Sequence, residues 1–202
     1  MRFSQSGFTL IEMLVSLAVF AMVVTMSVGT LIVLIGANEQ LQDQQTTISN
    51  LSFALDSMTR DIRTGTDYHC DDSTFAGQES AVVVDGPQDC KNGASGISFI
   101  ESGGSLTGPA FDRLAFYFNG DTLYRRIGDD PEEQILSSDI KIHTGVFMVT
   151  GSERLSENDT DIEQPTVTIY MKASDPSVDD CDASPSACVH IQTTVTQRIL
   201  DL

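Results

Sequence analysis

The feature that most constrains this chain is an apolar run near its amino end, which extends from Met13 to Ala37. It is longer than the roughly 20 apolar residues that an α-helix needs to cross the hydrocarbon core of a bilayer. Glu12 is the only charged residue between Gly7 and Ala37. An ionised carboxylate costs about 2.5–3.5 kcal/mol at the centre of a membrane helix, so an acid there indicates a function and predicts a partner of opposite charge.

Two ordinary explanations of the apolar run leave something unexplained. A cleaved secretory signal peptide has an apolar core of about 7–15 residues followed by a site of small residues. This run is longer, and no A-x-A site follows it. A plain single-pass anchor fits the length of the run. It gives Glu12 no role.

The segment Gly7-Phe8-Thr9-Leu10-Ile11-Glu12 resembles the class III signal sequence of type IV prepilins and type II secretion pseudopilins. The resemblance implies that a prepilin peptidase cuts between Gly7 and Phe8 and methylates the new amino group of Phe8. It also implies that Glu12 is the glutamate used in assembly. Arg2 is the only basic residue of the leader, so the positive-inside rule supports the orientation only weakly.

Charge pairing in a medium of low dielectric constant gives this pattern a physical reason. In the filament that the resemblance implies, Glu12 of one subunit meets the Phe8 ammonium of its neighbour. Opposite charges attract much more strongly in such a medium than in water, and either one alone is costly there. The pair would therefore set the register of assembly. The i, i+4 spacing also allows Phe8 and Glu12 to pair within one chain.

Length and charge describe the remainder of the chain. At 202 residues it has room for one long helix and one globular domain. Its 29 acidic residues against 11 lysines and arginines give a formal net charge of -18. Because nucleic-acid backbones are bound through basic patches, we expect no nucleic-acid partner.

Four cysteines follow the apolar run: Cys70, Cys90, Cys181 and Cys188. An even number on the exported side of a membrane protein indicates disulfides, and four cysteines allow three connectivities. We favour the two local pairs, Cys70 with Cys90 and Cys181 with Cys188. Zinc is the alternative, because His69 adjoins Cys70 and His190 lies two residues after Cys188. The usual C-x2–4-C ligand spacing does not occur.

The helical period continues beyond the apolar run, from Asn38 to Thr64. Apolar residues recur there at spacings of three, four or their sum, which predicts a helix with one buried stripe: Leu41, Ile48, Leu51, Leu55, Met58 and Ile62. A continuous helix from Phe8 to Ile62 would be about 80 Å long. The resemblance implies a soft point near Gly29, where glycine costs about 1 kcal/mol relative to alanine. Close packing between membrane helices is the alternative role of Gly29.

After Gly65 the period changes to two, which predicts short strands at residues 81–84, 96–100, 114–118, 122–127, 140–149, 166–172 and 188–199. Asn119-Gly120-Asp121 between two of them indicates a hairpin. A helix followed by strands predicts an α+β fold, with an antiparallel sheet on the long helix. The expected divisions are a removed leader (1–7), a transmembrane and filament-core helix (8–37), its amphipathic continuation (38–64) and an antiparallel sheet domain with disulfide-closed loops (65–202).

Two further segments, 58–63 and the tail 191–198, are similar to J-type minor pseudopilins and W-type minor pilins. The resemblance implies a structural subunit of a type II secretion pseudopilus or type IV pilus, incorporated near the filament tip. Because Glu12 is present, we expect it to enter beneath another subunit rather than to cap the filament alone. The implied partners are prepilin peptidase, other pilin or pseudopilin subunits, an inner-membrane assembly platform and membrane lipid. The implied location is the inner membrane, crossed once, with the carboxy-terminal domain outside the cytoplasm and assembled into a periplasmic or cell-surface filament.

No cofactor is expected, and calcium in an acidic loop near the carboxy end is the alternative. Asp175, Asp179, Asp180 and Asp182 offer the hard oxygen ligands that Ca²⁺ prefers. Their spacing lacks the glycine and the closing glutamate of the EF-hand loop, and solvated carboxylates are the alternative.

Catalytic motifs are missing from the sequence. There is no G-x-S-x-G, no H-E-x-x-H and no P-loop, and His69, His143 and His190 are isolated from one another. We therefore predict that the chain is not an enzyme. The alternative to a filament subunit is a membrane-anchored extracytoplasmic binding module or adhesin.

Overall fold

The computed structural model describes residues 7–72, 75, 86–101, 113–128, 130–152 and 164–198. Within these residues the chain forms one α-helix, eight strands and a short 3-10 helix at Pro185–Ala187. It divides into two compact units, residues 1–43 and residues 44–202. One long apolar helix followed by antiparallel sheets confirms the predicted α+β class.

Helix α1 spans Leu10–Thr64 without interruption. The first unit contains its apolar part, through which the helix continues at Gly29 and Gly36. By length and composition this is a helix that could cross a membrane once. The two predicted helical segments are thus one helix, beginning two residues later than expected.

In the second unit, α1 buries one stripe of side chains at spacings of three and four residues: Thr47, Leu51, Ala54, Met58 and Ile62. The predicted stripe was right at three of these positions. It was wrong at Leu41 and Ile48, which are 55 % and 45 % exposed, and Leu55 is only partly buried. The structure buries Thr47 and Ala54, which lie one residue before Ile48 and Leu55, so the buried face includes two small side chains.

Two antiparallel sheets complete the second unit. The first has five strands in the order β1-β2-β3-β4-β5, namely β1 Thr66–Asp71, β2 Gly96–Ile100, β3 Arg113–Asn119, β4 Thr122–Ile127 and β5 Glu133–Gln134. The second has three strands in the order β6-β7-β8, namely β6 Lys141–Thr150, β7 Thr166–Ser174 and β8 Cys188–Thr196.

Most predicted strands coincide with observed ones to within a few residues. The predicted hairpin is confirmed, because Asn119 pairs with Thr122 around a two-residue turn in which Gly120 has φ 58°. That left-handed backbone favours glycine. The predicted strand at 81–84 lies outside the described residues. Strands β1 and β5 were not predicted, since β1 has only two apolar residues, Tyr68 and Cys70, and β5 has none.

The main core joins the helix stripe of the second unit to the inner faces of both sheets, and Phe75, Ala115 and Tyr117 form a second, smaller cluster. The largest members of the main core come from different elements, with Phe99 on β2, Phe116 on β3 and Phe147 on β6, all fully buried. The end of the described chain closes on the end of the helix. There the Gln197 side chain donates to the carbonyl of Gly65 at 2.9 Å, which fixes the carboxy end of β8.

Candidate functional site

The helix begins with a side-chain cap from Thr9. Its Oγ1 accepts a hydrogen bond from the backbone N–H of Glu12 at 3.4 Å, and its carbonyl accepts one from Met13 at 3.3 Å. A threonine three residues before a glutamate is the capping-box spacing. Sequence reasoning had assigned no role to Thr9, although this spacing indicates one. The cap leaves Gly7 and Phe8 outside the helix and places Glu12 in its first turn.

Glu12 therefore lies where four backbone N–H groups of the helix point toward the amino end. A carboxylate in the first turn is stabilised by the helix dipole, typically by 0.3–1 kcal/mol at exposed positions. In this uncleaved chain the nitrogen of Phe8 belongs to a peptide bond and carries no charge. Pairing of Glu12 with a Phe8 ammonium, in the same chain or in a neighbour, remains a prediction.

The apolar part of α1 is exposed on every side within the first unit. Leu10 is 83 % exposed and Val33 is 73 % exposed, and the most apolar window of the helix has none of its residues buried. A helix that is apolar all round belongs in a protein core or in lipid. At about 1.5 Å per residue, residues 10–37 extend for about 42 Å, compared with about 30 Å for the hydrocarbon core. The segment can span a membrane and still project beyond it.

The few hydroxyl groups in this segment are all bonded to the helix backbone. Each hydroxyl donates to the backbone carbonyl three or four residues earlier, at an oxygen–oxygen distance of 2.8–3.0 Å. These residues are Ser16, Thr25, Ser27 and Thr30. Such bonds satisfy polar groups that would have no water partner in lipid. These side chains are consequently compatible with the hydrocarbon core.

The two glycines of the apolar run leave open space on the helix surface. A Cβ added at Gly29 or Gly36 would meet no atom within 4 Å. Among the residues that the structure describes, nothing requires glycine at either position. The soft point at Gly29 and the close-packing role both remain predictions.

The second unit contains two disulfides, Cys70–Cys90 and Cys181–Cys188. These are the local pairs that the sequence favoured, and no cysteine is left free. The histidines of the zinc alternative bond elsewhere. His69 Nδ1 lies 2.7 Å from the Gly86 carbonyl oxygen, and His190 Nδ1 lies 3.0 Å from the hydroxyl of Tyr170.

Three of the four aspartates proposed for calcium are engaged in local bonds. Asp175 accepts from the Ser177 N–H and Asp180 accepts from the Asp182 N–H, each at 2.8 Å. Asp182 also pairs with Lys172 Nζ at 2.6 Å. That hydrogen bond lowers the pKa of the Asp182 carboxyl.

Calcium binding by these aspartates remains a prediction. In the part of the chain that the structure describes, no three of the predicted carboxylates, including Asp179, place oxygens within 4.8 Å of one another. A calcium ion would therefore have to rearrange the loop. It would also have to displace Lys172 from Asp182.

Comparison with known families gives one match, over residues 2–28, to the family model described as the prokaryotic N-terminal methylation motif. The matched segment includes Gly7, Phe8, Glu12 and the first half of the apolar run. No curated protein and no solved structure matches the chain. The match supports a type IV pilin-like or pseudopilin subunit that is anchored by a single membrane helix.

Proposed function

We propose that this chain is a minor pilin or pseudopilin, a structural and non-enzymatic subunit of a type II secretion pseudopilus or type IV pilus. It enters near the filament tip through its amino-terminal helix. One observation carries the proposal: a carboxylate, Glu12, occupies the first turn of an exposed, membrane-length apolar helix directly after Gly7 and Phe8. An anchor needs no such acid, and an ionisable residue in a membrane helix indicates a function and a partner of opposite charge.

Processing by prepilin peptidase is the first step of the proposed function. Gly7 and Phe8 are exposed and precede the helix, so the peptide bond between them is accessible to a protease. Cleavage there creates an ammonium at Phe8, four residues before Glu12. The same enzyme then methylates this amine.

The proposed location follows from the two units taken separately. The exposed apolar helix lies in the inner membrane before assembly, and it packs against the helices of neighbouring subunits afterwards. The two disulfides of the second unit are typical of an oxidising compartment, which supports a domain outside the cytoplasm. An inner-membrane assembly platform would transfer the subunit from lipid to filament.

The proposed position in the filament is beneath another subunit, as in J-type minor pseudopilins or W-type minor pilins. A subunit with nothing above it would have no partner for its acid. Glu12 and the similarity of the tail 191–198 support this assignment. Cross-linking of the chain to sibling minor subunits, in cells that carry one or the other machine, distinguishes a pseudopilus from a pilus.

The processing step is tested by mass spectrometry of the mature protein from cells with and without prepilin peptidase. The expected amino terminus is N-methylated Phe8 with the peptidase and unprocessed chain without it. A Gly7→Val variant should accumulate unprocessed. A mature terminus at Met1, or one after Ala37, would contradict the proposal.

The assembly step is tested with Glu12→Gln, which removes the charge and nearly keeps the shape. We expect its fraction in isolated filaments to fall at least tenfold, which corresponds to about 1.4 kcal/mol. Glu39→Gln is the matched control, since Glu39 lies on the same helix beyond the apolar run. If the two variants were incorporated equally, the pairing role of Glu12 would be wrong.

The Glu12→Gln variant also distinguishes a filament subunit from a membrane-anchored binding module or adhesin. For a module that acts alone in the membrane, Glu12→Gln should change neither its location nor its ligand binding. For a filament subunit, the variant should remain in the membrane fraction while filaments lose it. The distribution between these fractions therefore decides between the two functions.

A further inference from the structure

The second unit brings together three metal-ligand side chains that are far apart in sequence. A ring nitrogen of His143 and the sulfurs of Cys181 and Cys188 all lie within 4.8 Å of one another. His143 belongs to β6, Cys181 to the turn after β7, and Cys188 is the first residue of β8. Thiolate and imidazole are the ligands that zinc prefers in proteins.

A β-bulge determines where His143 lies. Ile142 pairs with Ala173 and Thr144 pairs with the adjacent Lys172, so His143 is an extra residue on β6 with no pairing partner of its own on β7. A bulge bends a strand and redirects the side chain at that point. His143 is thereby aimed at the end of β7, where the chain turns toward Cys181.

The hydroxyl of Ser174 orients the imidazole. Ser174 is fully buried, and its Oγ donates its single proton to the carbonyl of Asp175 at 2.9 Å. The same oxygen forms a 2.8 Å hydrogen bond with His143 Nε2, whose direction depends on the tautomer of the ring. In the tautomer with its proton on Nε2, the ring donates this bond and has its lone pair on Nδ1. Metal-binding histidines are commonly held by a hydrogen bond from the other ring nitrogen in this way.

We propose that Cys181, Cys188 and His143 bind Zn²⁺ when the Cys181–Cys188 disulfide is reduced, with a water molecule as the fourth ligand. The disulfide and the metal occupy the same sulfur atoms, so the two states exclude each other. Either the disulfide or the bound zinc ion links the turn after β7 to the start of β8. The site is therefore a redox-dependent zinc centre.

Reduction of the disulfide precedes metal binding. A protein dithiol reduces the disulfide by two exchange steps, in which it gives up two electrons and two protons and becomes a disulfide itself. Zn²⁺ then binds both sulfurs as thiolates, and the two thiol protons are released to water. Nδ1 of His143 supplies its lone pair without losing a proton.

The test uses the full-length protein in detergent micelles and zinc as the probe. A trialkylphosphine replaces the dithiol as the reductant, because thiols compete for the metal. The phosphine takes oxygen from water and becomes the phosphine oxide, while the protein disulfide becomes two thiols. We expect one equivalent of Zn²⁺ to bind the reduced protein in competition with a chromogenic chelator. The oxidised protein should bind none. Co²⁺ in place of zinc should give a thiolate-to-metal charge-transfer band.

His143→Ala should weaken zinc binding at least tenfold. His190→Ala is the matched control, because His190 lies two residues from Cys188 while its ring bonds to Tyr170. That variant should bind zinc as the wild type does. Circular dichroism verifies that both variants are folded.

A second measurement needs no variant. Zinc should protect Cys181 and Cys188 of the reduced wild-type protein from alkylation, as mapped by peptide mass spectrometry. It should not change the alkylation of Cys70 and Cys90. The proposal is overturned if the reduced protein binds no zinc, if His143→Ala binds as tightly as wild type, or if zinc protects only Cys70 and Cys90.

Discussion

Arg113 on β3 holds Asp67 on β1 through two contacts inside the second unit. Its Nη1 lies 3.3 Å from the Asp67 carboxylate, and its Nη2 donates to the Asp67 carbonyl at 2.6 Å. The two side chains are 9 % and 11 % exposed. Asp67 has φ 58°, a left-handed backbone that is uncommon for a residue other than glycine, at the point where the register between β1 and β2 shifts. The guanidinium therefore holds an irregular part of β1 against the sheet.

Removing one member of this buried pair should be strongly destabilising. Arg113→Met leaves the Asp67 charge buried without its guanidinium, so we expect the free energy of unfolding to fall by about 3–5 kcal/mol. Arg60→Met is the control, since Arg60 pairs with Asp56 at 3.2 Å on the exposed helix surface. That change should cost less than about 1 kcal/mol. Denaturant titration of the full chain in detergent measures both, and equal effects would contradict the role given to Arg113.

The two disulfides should contribute unequally to stability. Chain-entropy estimates give about 2 kcal/mol for a sequence separation of 7 and about 3 kcal/mol for one of 20. Cys70 is also part of the core, so Cys70→Ala with Cys90→Ala should cost more than the entropic amount. Unfolding of each double variant, compared with wild type, measures the difference. A larger loss from the Cys181–Cys188 pair would contradict this order.

The turn after the helix should not tolerate a side chain at Gly65. A Cβ there would lie 2.3 Å from Cδ2 of Phe99, a buried ring that packs against Tyr68 and Phe116. Overpacking of this kind typically costs 1–3 kcal/mol, so Gly65→Ala should lower the midpoint of thermal unfolding. Gly36→Ala, which would meet no atom within 4 Å, should leave that midpoint unchanged or raise it.

The pair of Asp182 with Lys172 should make stability depend on pH in the acid range. The hydrogen bond from Lys172 lowers the pKa of Asp182 in the folded protein. Its contribution is therefore present above the unfolded pKa, near 3.9, and is lost as pH falls through the lower folded value. Asp182→Asn should remove this part of the acid-induced loss of stability. Identical acid unfolding curves for variant and wild type would exclude the contribution.

Asp61 on α1 should make stability depend on pH in the direction opposite to that of Asp182. Burial raises its pKa, and the nearby charges of Arg125 and Arg60 oppose that effect only partly. The folded chain then binds a proton at a pH where the unfolded chain does not, so this group adds stability as pH falls from its folded pKa toward 3.8. Asp61→Asn should abolish the gain. The measurement is the free energy of unfolding across that range, and a gain that survives the substitution would assign it to another group.

The sequence predicted those parts of the fold that depend on neighbouring residues. The length of the apolar run predicts the first part of α1, and alternation around Asn119 and Gly120 predicts the hairpin between β3 and β4. The same reasoning put Ile48 and Leu55 in the buried stripe, where the structure buries Thr47 and Ala54, because periodicity does not fix which side of a helix a sheet covers. It missed β1, where only Tyr68 and Cys70 are apolar and the polar residues Asp67 and His69 between them are buried as well.

Sequence alone therefore determined the local chemistry: a membrane-length helix, an acid four residues after Phe8, and an α+β domain. These follow from spacing and hydrophobic period, which are properties of adjacent residues. Tertiary structure alone decided which distant groups meet. Arg113 reaches Asp67 across a register shift, and a bulge turns His143 toward Cys181 and Cys188. Strand register and bulges depend on the packing of the whole domain, so no local pattern encodes these contacts.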